Sequence, residues 1–317
     1  MKLGIALGRL HPDDFLDVTV AGDRLGYESV WLPEHLILPS EMSGSPHPGE
    51  GHPPIPPDTP VFDAFVYLAF LAGRTRSIRL GTGVYNIGLR HPFVTARAVQ
   101  SLDVVSGGRA ELGVGASWLW EEWKAAGLDF ATRGQRVDEA IVVCKRLWTE
   151  REIAHRGRFF EFDTVRFEPK PIQKPWPPIS IGGESERALD RAARVGDGWI
   201  GMSHDLDTAS VQIARLRARL EAHGRAFDDF GVGPVVAPEA PRGEPIGRPF
   251  HVGGERGGAS TSQQARAAGV VATRDGDHAM ADRRDRLCER PPARDLGLHG
   301  LALEVGLHPW GVSTGKQ

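Results

Sequence analysis

Residues 78–118 read IRLGTGVYNIGLRHPFVTARAVQSLDVVSGGRAELGVGASW, and the fold is decided there. Two short apolar runs, 78–84 and 110–115, predict strands. Each ends in spaced glycines, Gly81-Thr82-Gly83 in the first and Gly113-Val114-Gly115 in the second. Between them, residues 92–105 predict a helix with Val94, Ala98, Leu102 and Val105 along one face. Pro92 suits a first helical turn, and Gly107-Gly108 stops the helix. The unit is strand–helix–strand, with glycines where the strands finish. In parallel α/β folds ligands sit at that end, and backbone without side chains lets a flat or anionic group approach closely. Turn-making alone would also explain one glycine pair; its recurrence at a second strand end favours the ligand reading.

Outward from this unit the alternation continues. Further strands are predicted at 3–7, 29–32, 179–181, 198–201, 230–236 and 301–305. Pro12-Asp13-Asp14 opens a helix, and Leu16, Val20 and Leu25 bring it to Gly26. Residues 61–73, VFDAFVYLAFLAG, predict a helix apolar enough to be buried all round. Residues 136–148 predict another, with Val137, Ile141, Cys144 and Trp148 on its inner face. Two more span 185–195 and 207–223, the last with Val211, Leu216 and Leu220 inward. Residues 156–178, rich in phenylalanine and then proline, predict a small strand pair and an extended segment outside the repeat. Eight strands alternating with helices predict a (β/α)8 barrel. An open dinucleotide-binding sheet fits less well, because Trp118 stands where a third glycine belongs after Gly113 and Gly115.

Four stretches resemble the luciferase-like monooxygenase superfamily, and within it the branch of coenzyme F420-dependent oxidoreductases. They are GYESVWLPEHLILP at 26–39, RLGTGV at 79–84, LDVVSGGRAELGVGASW at 102–118 and PPISIGGESERALDRAARVGDGWIG at 177–201. The resemblance runs in order from residue 1 to about 236. It implies a TIM barrel of the bacterial-luciferase type. The implied reaction is hydride transfer between a deazaflavin (F420) and a small-molecule substrate. One alternative is an FMN-dependent monooxygenase using reduced flavin and oxygen; another is a non-catalytic flavin-binding member. No Ser-His-Asp set, metal set or phosphate-binding loop competes for the catalytic role.

His35 follows the second strand, where a histidine can relay a proton near neutral pH or simply cap the next loop. The resemblance places such a histidine beside the reactive carbon of the deazaflavin; Glu34 is a candidate partner, a residue that only orients His35, or one that faces solvent. It also implies a non-proline cis peptide within Thr82, Gly83 and Val84, at the Gly83–Val84 bond, making a bulge behind the ring. Asn86 is a candidate for the pyrimidine edge of the ring, or for a turn. Gly113, Gly115 and Ser117 end the fourth strand at the same mouth. Gly182, Gly183 and Ser185 open a helix whose free N–H groups suit a phosphate, with Glu184 pointing away. Ser185 reads equally as a helix cap. Trp118 packs on a ligand or in the core.

The net charge of −3 gives no case for nucleic-acid binding. A hydrophobic share of 40% supports a sizeable core. Cys144 and Cys288 are unpaired in spacing, which points to no disulfide framework and no metal site, and to a reducing cytoplasm. No export signal or membrane span is read. A homodimer is compatible with the family resemblance. Prolines at 46, 48, 53, 54, 56, 57 and 60 predict a lid loop, and its His47 and His52 read as solvated. Residues 237–294 hold few large apolar residues, namely Ile246, Phe250, Val252, Val270, Val271, Met280 and Leu287. Three regions are therefore expected: a barrel over 1–236, an irregular stretch over 237–294, and a last strand and tail over 295–317.

Overall fold

A computed structural model describes residues 2–45, 55–204, 206–236 and 269–273. In chain order the strands are β1 (Lys2–Ala6), β2 (Ser29–Leu32), β3 (Arg79–Thr82), β4 (Ala110–Val114), the hairpin β5 (Ile153–Arg156) and β6 (Glu161–Val165), β7 (Ile179–Gly182), β8 (Gly198–His204), β9 (Gly231–Val236) and β10 (Gly269–Thr273). The helices are α1 (Phe15–Leu25), α2 (Ala64–Ala72), α3 (Pro92–Ser106), α4 (Trp120–Ala125), α5 (Arg133–Thr149), α6 (Glu186–Val195) and α7 (Leu206–Ala222). Eight strands close in the order β1-β10-β9-β8-β7-β4-β3-β2, with β5-β6 apart as the expected small pair. Neighbours from β1 through β2, β3, β4, β7, β8 to β9 are parallel. The barrel expected from the sequence is the fold found.

Alternation along the strands divides the core. Val30, Leu80, Leu112, Ile179 and Trp199 point outward and belong to the main core with the helices. Trp31 and Ile200 point the other way and form a separate cluster with Ala6 and Val84. The bulk of Trp31 explains Gly81, where a Cβ would lie 2.5 Å from the ring; at Gly113 a Cβ would meet the Thr82 backbone oxygen first and Ile200 Cδ1 at 2.7 Å. Among the described residues two large side chains thus stand in the lumen over a glycine lining.

Three helix faces, those of α2, α3 and α7, differ from expectation. α1 starts after a 3-10 turn at Pro12–Asp14 and buries Phe15, Val18, Thr19 and Gly22, leaving Leu25 exposed. Gly22 lies inward because a Cβ there would meet Ile5 Cδ1 at 2.6 Å. α2 exposes Val66 and Phe70, so its apolar composition does not mean burial all round. α3 exposes Val94 and Val105 and buries Thr95, Gln100 and Asp103. That polar face is tolerable because the Asp103 carboxylate accepts from Gln173 N at 3.0 Å and Gln173 Nε2 at 2.6 Å. α7 buries Leu216 and Leu220 but exposes Val211.

The eighth strand of the sheet also differs. It is β10, inside the stretch expected to be irregular, and it runs antiparallel to both β1 and β9. The run GVVAT carries two of the few large apolar residues of that stretch, both β-branched, which suits a pleated strand. The predicted strand at 301–305, and the histidines His47 and His52 of the lid, lie outside the described residues.

Candidate active site at the carboxyl ends of the strands

β2 is buried along its whole length, and the chain leaves it through Pro33-Glu34-His35. Glu34 turns inward. Its carboxylate accepts from Asn86 N at 3.0 Å and from Arg90 Nη2 at 2.5 Å. Arg90 in turn lies over the Tyr85 ring, 4.4 Å from its centroid. Burial pushes the Tyr85 phenol up to about 12, with Arg90 opposing and Glu34 adding to the shift. Burial also works against the charged Arg90, but the Glu34 carboxylate outweighs it and raises the guanidinium above its ordinary value. Glu34 is therefore committed to a buried ion pair.

His35 has another partner. Its Nδ1 lies 3.3 Å from Oε2 of Glu122, a residue of α4 with a fully buried side chain. The same carboxylate accepts from Leu36 N at 2.5 Å, Ile37 N at 3.4 Å, Asn86 Nδ2 at 3.4 Å and Ser117 Oγ at 3.5 Å. Glu122 thus draws together His35, Asn86 and Ser117, three of the residues singled out in the sequence. Ser117 reaches this position with φ 65, left-handed for a residue with a Cβ, and its Oγ accepts from Leu119 N. The Trp118 ring stands edge-on to His35, centroids 5.8 Å apart. Neither Glu122 nor Arg90 was found by sequence reasoning. The acidic pair in LWEEW just beyond Ser117-Trp118 was the signal for Glu122.

Beyond β3 the bond between Gly83 and Val84 is cis, where the family resemblance located it. Val84 then lies against β4 and β7: a Cβ at Gly115 would come 2.6 Å from Val84 Cγ2, and one at Gly182 2.7 Å from Val84 Cγ1. Thr82 is fully buried and its Oγ1 donates to Gly113 O at 2.7 Å. Of this run, Val84 and the backbone are left to meet a ligand. At the head of α6, Gly183 has φ +114 and Ser185 Oγ accepts from Ala188 N at 3.2 Å. Ser185 is thus a helix cap whose hydroxyl proton can still be donated. Glu184 accepts from Met202 N at 3.1 Å, on the β8 side.

These features fit a flat cofactor with an anionic tail. Ala6, Trp31, Val84 and Ile200 make an apolar cluster at one end of the barrel, the His35–Glu122 group supplies polar contacts, and the α6 start suits a phosphate. Among the described residues no group of histidine, cysteine or carboxylate side chains could hold a metal ion. No helix among them is long and apolar enough to cross a membrane.

The profile of the luciferase-like monooxygenases matches residues 4–243. The chain belongs to the luciferase-like monooxygenase family. It is accordingly an enzyme of the oxidoreductase/monooxygenase class whose relatives use F420 or a flavin. Similarity extends to the F420-dependent hydroxymycolic acid dehydrogenase of Mycobacterium tuberculosis, 31% identical over 208 residues, 65% of this chain and 53% of that one. The oxygenase component of the flavin-dependent trigonelline monooxygenase of Acinetobacter baylyi is 28% identical over 186 residues, 58% and 46% of the two chains. The F420-dependent tetrahydromethanopterin reductase of Methanopyrus kandleri shares the fold of this luciferase-like chain, with a TM-score of 0.60, 20% identity and coverage of 74% and 65%.

Proposed function

We propose that this chain is an F420-dependent oxidoreductase acting on a small organic substrate, with its cofactor at the carboxyl ends of the strands. The observation that carries the reading is His35, held by a buried carboxylate directly after β2 at that mouth. When bound, the deazaflavin supplies hydride chemistry. Val84 and the backbone of Thr82 and Gly83 would support its ring, with Asn86, Gly113, Gly115 and Ser117 beside it. Gly182, Gly183 and Ser185 would hold its phosphate. His35 moves the proton that accompanies the hydride, and Glu34, tied to Arg90, shapes the turn that presents it. His35→Ala should keep its fold and lose about 10²–10⁴-fold in kcat. Wild-type turnover in that variant would make His35 a loop residue only.

The trigonelline monooxygenase relative favours a second reading, in which reduced FMN and oxygen are used. Titration of the purified protein with F420 and with FMN, followed by absorbance and fluorescence, separates the two. Tight F420 binding with substrate-dependent bleaching and no oxygen uptake supports the first. Flavin binding with oxygen consumption supports the second, and binding without turnover in either supports a non-catalytic member. Two cysteines in the whole chain support a reducing, cytoplasmic setting. We also propose a homodimer joined through α2 and α3, whose exposed Val66, Phe70, Val94 and Val105 would be covered by a second copy. Phe70→Glu should then yield monomers in size-exclusion chromatography with light scattering; an unchanged mass would refute this interface.

A further inference from the structure

Every donor around Glu122 constrains its carboxylate. The backbone N–H groups of Leu36 and Ile37 can only donate, and both reach Oε1. Oε2 receives Asn86 Nδ2 and Ser117 Oγ as well as the imidazole. No lysine or arginine touches this carboxylate among the described residues, in contrast to Glu34 with Arg90. The ring nitrogen facing Oε2 is Nδ1, and against an ionised carboxylate, which can only accept, that nitrogen is the one that carries a hydrogen. The His35 side chain keeps 14% of its surface exposed, while that of Glu122 keeps 0%.

We propose that Glu122 is a positioning residue that fixes His35 as its Nδ1–H tautomer, making Nε2 the nitrogen that exchanges a proton with the substrate. The inference rests on the role of His35 given above. In the oxidising direction the bound deazaflavin would supply the hydride acceptor, and the Nε2 lone pair would take the proton that the substrate gives up with it. In the reducing direction protonated Nε2 returns that proton. A carboxylate that holds a histidine in one tautomer and orientation is worth orders of magnitude elsewhere: in the serine-protease triad an Asp→Asn change leaves geometry intact and lowers kcat about 10⁴-fold.

The decisive variant is Glu122→Gln, because the backbone dictates how the new amide sits. The N–H groups of Leu36 and Ile37 demand an acceptor at Oε1, so the amide oxygen must take that place. The amide NH2 then occupies the place of Oε2, where the Asn86 amide turns to present Oδ1 and Ser117 Oγ becomes an acceptor, and it donates to His35 Nδ1. Nδ1 becomes an acceptor, the hydrogen moves to Nε2, and the neutral ring can no longer take up a proton there.

The test is 15N NMR of the imidazole nitrogens at a pH where the ring is neutral, with His35 assigned by comparison with His35→Gln. Wild type should show Nδ1 protonated and Nε2 unprotonated, and Glu122→Gln the reverse. The variant's kcat with F420 should fall about 100-fold or more, while KM and cofactor affinity change little. An Nε2–H tautomer in wild type overturns the proposal, even if the variant does not fold. An Nδ1–H tautomer or wild-type kcat in Glu122→Gln overturns it as well. Full activity in His35→Ala would instead overturn the role given to His35, and the tautomer measurement would still decide what Glu122 does to the ring.

Discussion

Val84 shows how one side chain sets the composition of two neighbouring strands. Gly115 and Gly182 are read in the sequence as room for a ligand, yet each also lies where a Cβ would overlap a methyl group of Val84. Gly182→Ala should therefore cost about 1–3 kcal/mol by overpacking. In a Val84→Ala background that cost should largely vanish, which a double-mutant cycle by urea unfolding would measure. An equal cost in both backgrounds would mean that Val84 is not what excludes the Cβ. Gly113 is different, because its Cβ would meet the backbone oxygen of Thr82. Backbone cannot give way as a side-chain tip can, so no second-site change should rescue Gly113→Ala. His35 was legible because a histidine after a short apolar strand and a proline has few places to go. Glu122 was not, since it lies 87 residues from His35 and only the barrel closes that distance.

At the scale of elements, strand positions were far easier to read than helix faces. β2, with every residue buried, was found to the residue, and β3, β4 and β7 within a few positions, because short apolar runs marked off by glycine or proline have few alternatives. The face of α3 was displaced, and that of α1 was not read, because buried polar groups such as Asp103 and Thr19 carry no apolar signal. Their burial depends on partners elsewhere in the chain. Asp23 on α1 is such a partner in reverse, for it ties that helix to the start of β3. Its carboxylate accepts from the N–H groups of Arg76, Ser77 and Ile78 at 2.8–2.9 Å. Burial acts to raise this carboxyl, but these hydrogen bonds outweigh it and hold the group at about 2. Because the folded value is depressed, the stabilisation is full above the unfolded value of about 4 and fades as pH falls toward 2. The site is largely open to solvent, so Asp23→Asn should cost only about 1 kcal/mol at pH 6. Urea unfolding at pH 6 and at pH 2.5 should show the gap between wild type and variant narrowing at the lower pH. A gap that stays constant would mean that Asp23 is not responsible.

The whole molecule depends on how the sheet closes. Among the described residues Trp31 and Ile200 pack inside the lumen over glycines, so the barrel is held by packing inside as well as by the helices outside. Closure itself falls to β10, which lies between β1 and β9 with Val271 opposite Gly4 on one side and Val235 on the other. From the sequence, residues 301–305 were expected to close the barrel in parallel, after an irregular stretch over 237–294. Composition could not reveal β10, because five residues of GVVAT are a weak signal within glycine, proline and arginine. Two proline substitutions decide between these closures. A strand paired on both sides cannot lose a ladder N–H without leaving an acceptor unpaired, at about 1–3 kcal/mol. Val271→Pro should therefore lower the thermal midpoint by about 2–5 °C. Hydrogen exchange should quicken in β1 and β9 together, since both lose their shared neighbour. Leu303→Pro, in the segment first expected to close the sheet, should leave β1 and β9 protected. The reverse pattern, with Val271→Pro silent and Leu303→Pro unfolding, would return the closing strand to the region after 295 and remove β10 from the barrel.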